Sequence, residues 1–143
     1  MKETYYQTIF QIISTGHWIT DRLNQEFKEH GATEPQFNVL RTLKAANGEP
    51  VTVQQLLEKM VQRSSNITRI VDKLVAKEFV ERKECPTNRR KMDITITKAG
   101  LNFLKKLDKK VARFNKPLMK NLNEKELKTL KKLILKLKSN HNE

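Results

Sequence analysis

Ser64-Ser65-Asn66-Ile67-Thr68-Arg69-Ile70-Val71-Asp72-Lys73-Leu74 is the stretch on which the reading of this chain turns. Ile67, Ile70, Val71, Leu74 and the following Val75 form one apolar stripe of a helix with 3.6 residues per turn. The opposite face is polar, with Ser65, Asn66, Thr68, Arg69, Asp72, Lys73 and Lys77. Ser64 stands where a hydroxyl can cap the free N–H groups of the first turn. Just upstream, Thr52-Val53-Gln54-Gln55 is a capping box, and Val53, Leu56, Leu57 and Met60 supply an inward face. Helices of about ten and about fifteen residues, separated only around Val61-Gln62-Arg63, predict a helix-turn-helix.

Downstream the period changes from helical to two. Phe79, Val80 and Arg82 open a short strand, and Met92, Ile94 and Ile96 alternate with Asp93, Thr95 and Thr97 in a second. Between them Glu84-Cys85-Pro86-Thr87-Asn88-Arg89-Arg90-Lys91 reads as a polar tip ending in three consecutive cations. A strand pair with a basic tip, placed directly after a helix-turn-helix, is a wing.

The flanks are helical. Ile9, Ile12, Gly16, Ile19, Leu23 and Phe27 recur in steps of three and four, predicting a long amphipathic helix before Gly31. Thr33-Glu34-Pro35-Gln36 then caps a helix whose buried face is Phe37, Leu40 and Leu43. Beyond Thr97, Leu101, Leu104, Leu107, Val111, Phe114, Leu118 and Leu122 keep helical spacing, with Pro117 set to kink or end that helix. Asn123-Glu124-Lys125-Glu126 is a further capping box, and Leu127, Leu130, Ile134 and Leu137 follow in the a/d steps of a helix that packs on a partner.

Charge is distributed as unevenly as structure. The 143 residues carry 29 Lys and Arg against 16 acids, a net charge of +13 that points to an anionic partner. Residues 1–50 hold five basic and six acidic side chains, residues 51–100 hold 11 and 6, and residues 101–143 hold 13 and 4. One cysteine excludes an intramolecular disulfide framework and a multi-thiolate metal site. The longest apolar run, Leu133 to Leu135, is far too short for a membrane span or a signal-peptide core, so the expectation is a cytoplasmic protein.

Four stretches in this order resemble the MarR family of bacterial transcriptional regulators: Ser64 to Leu74, Phe79-Val80-Glu81-Arg82, Asn88-Arg89-Arg90, and Ile94-Thr95-Ile96-Thr97-Lys98-Ala99-Gly100. The resemblance covers essentially the whole chain. It implies a mainly α, α+β winged-helix fold in a single domain, 1–143. Residues 33–97 would form the winged helix-turn-helix, and residues 1–30 and 98–143 the dimerisation helices. Ile9, Leu127, Leu130, Ile134 and Leu137 are then expected in a homodimer interface. Two positions depart from the family pattern: Asn88 replaces an acidic residue that would steady a wing Arg, and Glu78 replaces a Gly after the recognition helix. A side chain at the latter position needs another cap or a left-handed backbone.

On this resemblance the partner is double-stranded DNA. Ser65, Asn66, Thr68 and Arg69 would face base edges in the major groove, with the capping Ser64 also in the DNA-binding set, while Gln54, Arg63 and Lys73 would hold phosphates. Arg90 would enter the minor groove from a wing turn shaped by Asn88, with Arg89 and Lys91 along the backbone. Repression would come from a dimer occluding a pseudo-palindromic operator. Family members often bind small aromatic or phenolic acids, and Phe10, Ile13, His17, Trp18 and Phe37 are the residues expected to line such an effector pocket. Cys85 lies in the wing, away from the first-helix cysteine of peroxide-sensing relatives, with Lys83 near enough to acidify it. His17, His30 and His141 are too scattered for a metal site.

An enzyme would need a convergent catalytic set or a phosphate-cradling Gly loop, and the sequence offers neither, nor any cofactor motif. The alternative reading is a winged-helix module for nucleic acid or protein without ligand-controlled repression; an RNA-binding version would want aromatic residues on the wing, which has none. A membrane-surface role for the last helix is disfavoured by an apolar stripe without Trp or Phe.

Overall fold

The computed structural model describes residues 1–60 and 66–139 and is mainly helical. Helix α1 (Lys2–Phe27) runs into a 3-10 turn (Lys28–His30), followed by α2 (Glu34–Ala45), β1 (Val51–Thr52), α3 (Val53–Lys59) and α4 (Ile67–Ala76). Strands β2 (Val80–Cys85) and β3 (Asn88–Ile96) come next, then α5 (Lys98–Leu118) and α6 (Glu124–Leu137). The chain divides into two compact units, residues 1–111 and 112–143.

The core of the first unit gathers most of the residues that the periodicity singles out from Leu23 to Leu107, and adds Val39. Phe27 from α1, Val39, Leu40 and Leu43 from α2, Leu56 from α3, and Val71 and Leu74 from α4 are fully or almost fully buried. Val80, Ile94, Leu104 and Leu107 close it from the sheet and α5. All three capping boxes form: Thr33 with Gln36, Thr52 with Gln55, and Asn123 with Glu126. Each satisfies two N–H groups that a helix start otherwise leaves open. Helices α3 and α4 are shorter than their sequence patterns suggest, with 7 and 10 residues. Helix α5 runs through Pro117 to Leu118, and Met119 N–H still bonds to Asn115 O at 3.1 Å; the missing N–H costs only the bond to the carbonyl four residues earlier.

The sheet has one strand more than the alternation pattern indicates. Its order is β1-β3-β2, with Val51 opposite Ile94 and Thr52 opposite Asp93. A two-residue strand has no period to read, and only its partner reveals it.

Glu78 takes the left-handed conformation, φ 60°. It does so inside a Schellman turn, in which Phe79 N–H bonds to Leu74 O at 3.0 Å and Glu78 N–H bonds to Val75 O at 2.9 Å. The Thr97 hydroxyl donates to Glu78 O at 2.7 Å and accepts from Gly100 N–H at 3.0 Å, so one side chain closes the end of α4 and caps the start of α5. Glu78→Gly removes the Cβ clash of this conformation and is expected to stabilise the fold by about 1 kcal/mol, read as a higher urea midpoint; a lower midpoint would mean the Glu78 side chain contributes more than its backbone costs.

Gly31 ends the first helical segment in the same left-handed way, φ 65°, and its carbonyl accepts Lys77 Nζ at 2.8 Å. That bond ties the end of α1 to the end of α4. Arg41 on α2 meets Asp108 on α5 at 3.2 Å, and Lys110 on α5 meets Glu29 at 2.6 Å.

Glu34, at the first turn of α2, is buried and hydrogen-bonded by the Asn38 amide. Burial holds its carboxyl above the ordinary value of 4.5, against a smaller opposing effect of Asn38. A raised acid favours folding when protonated, so its contribution is full below 4.5 and is lost as pH rises through the folded value. Glu34→Gln should therefore raise stability at neutral pH and lose that advantage in acid, as chemical denaturation at the two pH values would report.

Candidate nucleic-acid interface

Helix α4 turns Ile67, Val71 and Leu74 into the core and leaves Thr68, Arg69, Asp72 and Lys73 exposed. Its N-cap is Asn66, whose side-chain oxygen accepts the Arg69 N–H at 3.2 Å. The helix therefore begins at Ile67, after the cap position assigned to Ser64, and exposed Asn66 spends a lone pair of its side-chain oxygen on the helix. Arg63, Ser64 and Ser65, with the turn Val61-Gln62-Arg63, lie outside the described residues. Gln54 is exposed on the first turn of α3.

The wing is held to this helix by an ion pair. Asp72 Oδ1 on α4 accepts from Arg82 Nη1 on β2 at 2.5 Å. Asp72, read in the sequence as one more polar residue of the exposed face, thus has a specific partner ten positions on. Lys73 and Arg69 stand on either side of that pair along the same helix.

The wing hairpin is longer than its polar tip suggests, because β2 runs to Cys85 and only Pro86 and Thr87 make the turn. The ladder pairs Val80 with Ile96 through to Glu84 with Met92, then jumps to Cys85 with Asn88. Arg89, Arg90 and Lys91 are the extra residues of the resulting irregularity, on the strand and not in the loop, and all three are exposed. Bulges re-aim side chains out of a regular ladder. Asn88 Oδ1 accepts the Arg90 N–H at 3.0 Å, so Asn88 shapes the backbone under the cations without an ion pair. Cys85 sits at the turn, where hydrogen bonding to Thr87, and not the Lys83 charge, holds its thiol below the ordinary 9.0.

The MarR family pattern matches residues 32–92, the segment that contains α2 to the wing. The transcriptional regulator MhqR of Bacillus subtilis is 33% identical over 128 residues, 87% of either chain. The chain belongs to the MarR family. It is a transcriptional regulator with a winged-helix DNA-binding fold, not an enzyme. Two solved regulators share that fold at lower identity. The Staphylococcus aureus MepR–DNA complex superposes with a TM-score of 0.77 at 19% identity, covering 94% of this chain and 96% of that one. The organohalide-sensing RdhR, bound to 2,4-dichlorophenol, gives 0.82 at 17% identity, covering 96% of this chain and 81% of that one.

In this MarR-family chain an open groove of about 770 Å³ runs beside α4. Asn24 and Lys28 from the end of α1, Thr33 and Gln36 from the start of α2, and Asn66, Arg69 and Lys73 line it, with Ala32, Pro35 and Ile70 as apolar floor. Three cations and no carboxylate face this space. The five residues expected to line an effector pocket are not gathered in one chain: Phe10, Ile13, His17 and Trp18 are exposed along α1, while Phe37 is in the core, its ring 5.0 Å from that of Phe27. Aromatic residues at helical spacing do not declare whether they line a pocket or a core. The groove residues, polar and apolar, come from three separate segments, which no local pattern connects.

The apolar stripes of the outer helices stay uncovered in a single chain. Tyr5, Tyr6, Ile9, Phe10, Ile12 and Ile13 are exposed on α1, as are Leu127, Leu130, Leu133 and Leu137 on α6, with Ile134 half-buried. Among the described residues no helix is long and apolar enough to cross a membrane, and no cluster of His, Cys, Asp and Glu suits a metal ion.

Proposed function

We propose that the chain is a homodimeric repressor that places two α4 helices in successive major grooves of a pseudo-palindromic operator. The observation that carries this reading is the joint presentation, by one lobe, of an exposed Thr68/Arg69/Lys73 face and a bulged wing with three cations, linked by Asp72–Arg82. A two-fold dimer with recognition helices about 34–36 Å apart matches one turn of B-DNA and blocks polymerase by occupancy. The uncovered apolar stripes on α1 and α6 support self-association, since runs of exposed large apolar side chains along one helix face mark interaction surfaces. Arg69 has the bidentate fork for guanine, Lys73 suits phosphate as a point charge, and Arg90 suits a narrow minor groove. DNA in the MepR complex and dichlorophenol on RdhR are properties of those relatives that this reading extends to the present chain.

Release by a small aromatic acid fits the groove better than the exposed α1 face. Lys28, Arg69 and Lys73 supply charge for a carboxylate, and Ala32, Pro35 and Ile70 supply apolar contact for a ring. A ligand held there competes with DNA for Arg69 and Lys73.

Binding of the purified protein to a duplex from its own upstream region, against a scrambled duplex, tests the regulator. A strong preference for the real sequence is expected, and equal binding to both at every salt concentration refutes it at that site. Arg90→Ala should weaken binding to an operator with A/T-rich flanks by about 1–3 kcal/mol. Undiminished affinity in titration would remove the wing from recognition.

A further inference from the structure

We propose that the outward face of α6 is a second binding surface for the phosphate backbone of duplex DNA, separate from the recognition helix and the wing. The inference rests on the reading of the chain as a duplex-DNA binder. It starts from the charge distribution: residues 51–100 exceed their acids by five, residues 101–143 by nine. Most of the net charge therefore lies outside the segment that reads DNA.

On α6, Lys125, Lys128, Lys132 and Lys136 follow at steps of three, four and four, and every one is exposed. At 100° per residue they fall on one side of the helix, opposite the arc of Leu127, Leu130, Ile134 and Leu137. The row is about 16 Å long, from a rise of 1.5 Å per residue. The lysine row and the leucine arc thus lie on opposite sides, with exposed Leu135 and Lys131 on the flank between them, so a partner copy covering the leucine arc leaves the lysine row pointing away from it.

Both acids of the helix are committed in its first turn. Glu126 reaches back to Asn123 N–H at 2.8 Å to complete the cap, and Glu124 pairs with Lys128 at 2.6 Å. From Leu127 to Leu137 there is no acidic residue. Lys128 and Lys132, and Lys132 and Lys136, are like charges at i, i+4, which destabilise an isolated helix. A face that is merely solvated relieves this by interleaving Glu with Lys, and this one does not. A bound polyanion would relieve it.

The shape and chemistry of the face suit phosphates. A shallow groove of about 600 Å³ runs along it, lined by Asn123, Glu124, Lys125, Lys128, Thr129 and Lys132, with the one carboxylate, Glu124, paired to Lys128 at the N-terminal end. All four cations of the row are lysines, point charges that bind phosphate without the planar fork that reads guanine. The surface therefore contributes affinity and salt dependence but no sequence preference.

The test compares full-length wild type, Lys125→Gln/Lys128→Gln/Lys132→Gln/Lys136→Gln, the milder Lys132→Gln/Lys136→Gln, and Arg90→Ala. Each binds a random-sequence duplex and the upstream duplex between about 50 and 200 mM salt. Each neutralised phosphate contributes about −0.9 to the slope of log K against log salt. The fourfold variant should flatten that slope by about 3 to 4 and the twofold variant by about half as much, with affinity for both duplexes falling at least tenfold at the low-salt end and their ratio unchanged. Circular dichroism and sedimentation identical to wild type establish that the variants are folded and assembled. Unchanged slopes in folded variants overturn the proposal, as does loss of binding to phosphatidylserine vesicles with DNA binding intact. If wild type shows no preference for the upstream duplex, the operator reading fails at that site, yet the α6 slope is read all the same.

Discussion

Leu130→Asp should convert the protein from dimer to monomer at micromolar concentration and reduce operator binding at least a hundredfold. Leu130 lies mid-stripe on α6 and is 46% exposed in the single chain, so the protomer does not need it for its own core. In a two-fold interface every substitution is made twice, once from each copy. Two carboxylates brought into an apolar contact must be desolvated without partners, and several kcal/mol is the ordinary scale of that cost. A site read by two lobes then loses the linkage that makes the second contact intramolecular. Sedimentation measures the first effect and duplex titration the second. A variant that remains dimeric would assign self-association to α1 alone; a monomer with full operator affinity would overturn the dimeric mode of binding.

Gly100→Ala should destabilise the fold by about 3 kcal/mol or more, the upper end of what overpacking costs. A Cβ at this position would stand 2.1 Å from Phe79 O and 2.8 Å from Ile96 Cγ1. The first neighbour is backbone and cannot rotate away. It also accepts the Thr97 N–H at 3.0 Å, so retreat breaks the latch that joins α4, the sheet and α5. The stacked rings of Phe79 and Phe103, with centroids 4.2 Å apart, press the same two elements together. Urea unfolding should show a lower midpoint with an unchanged slope. A midpoint within error of wild type would mean that α5 can shift on the sheet at little cost.

These two residues differ in how far the sequence announces them. Leu130 belongs to a repeating pattern, and a pattern survives being read in one dimension. Gly100 is a single residue in a motif, and nothing local states that the carbonyl of Phe79, twenty-one positions earlier, lies against it. The same division runs through the site. Arg69, Arg89, Arg90 and Lys91 were legible as an accumulation of cations on two short elements, whereas the Asp72–Arg82 pair joining those elements was not. The groove was missed for a related reason: its lining comes in twos and threes from α1, α2 and α4. Aromatic residues at helical spacing drew the pocket towards α1, where the structure leaves most of them on an open face.

The sequence by itself determined the helices, their caps, the two long wing strands and the buried stripes, because these depend on neighbours within four residues or on a period. It also determined that Glu78 faced a conformational choice. Tertiary structure alone decided the outcome, a left-handed backbone closed by Thr97 from the far side of the wing. Tertiary structure likewise decided the third strand, the bulge under Arg89 to Lys91, and the three-helix groove. Each depends on what another segment places against it, and a residue's sequence neighbours carry no record of that.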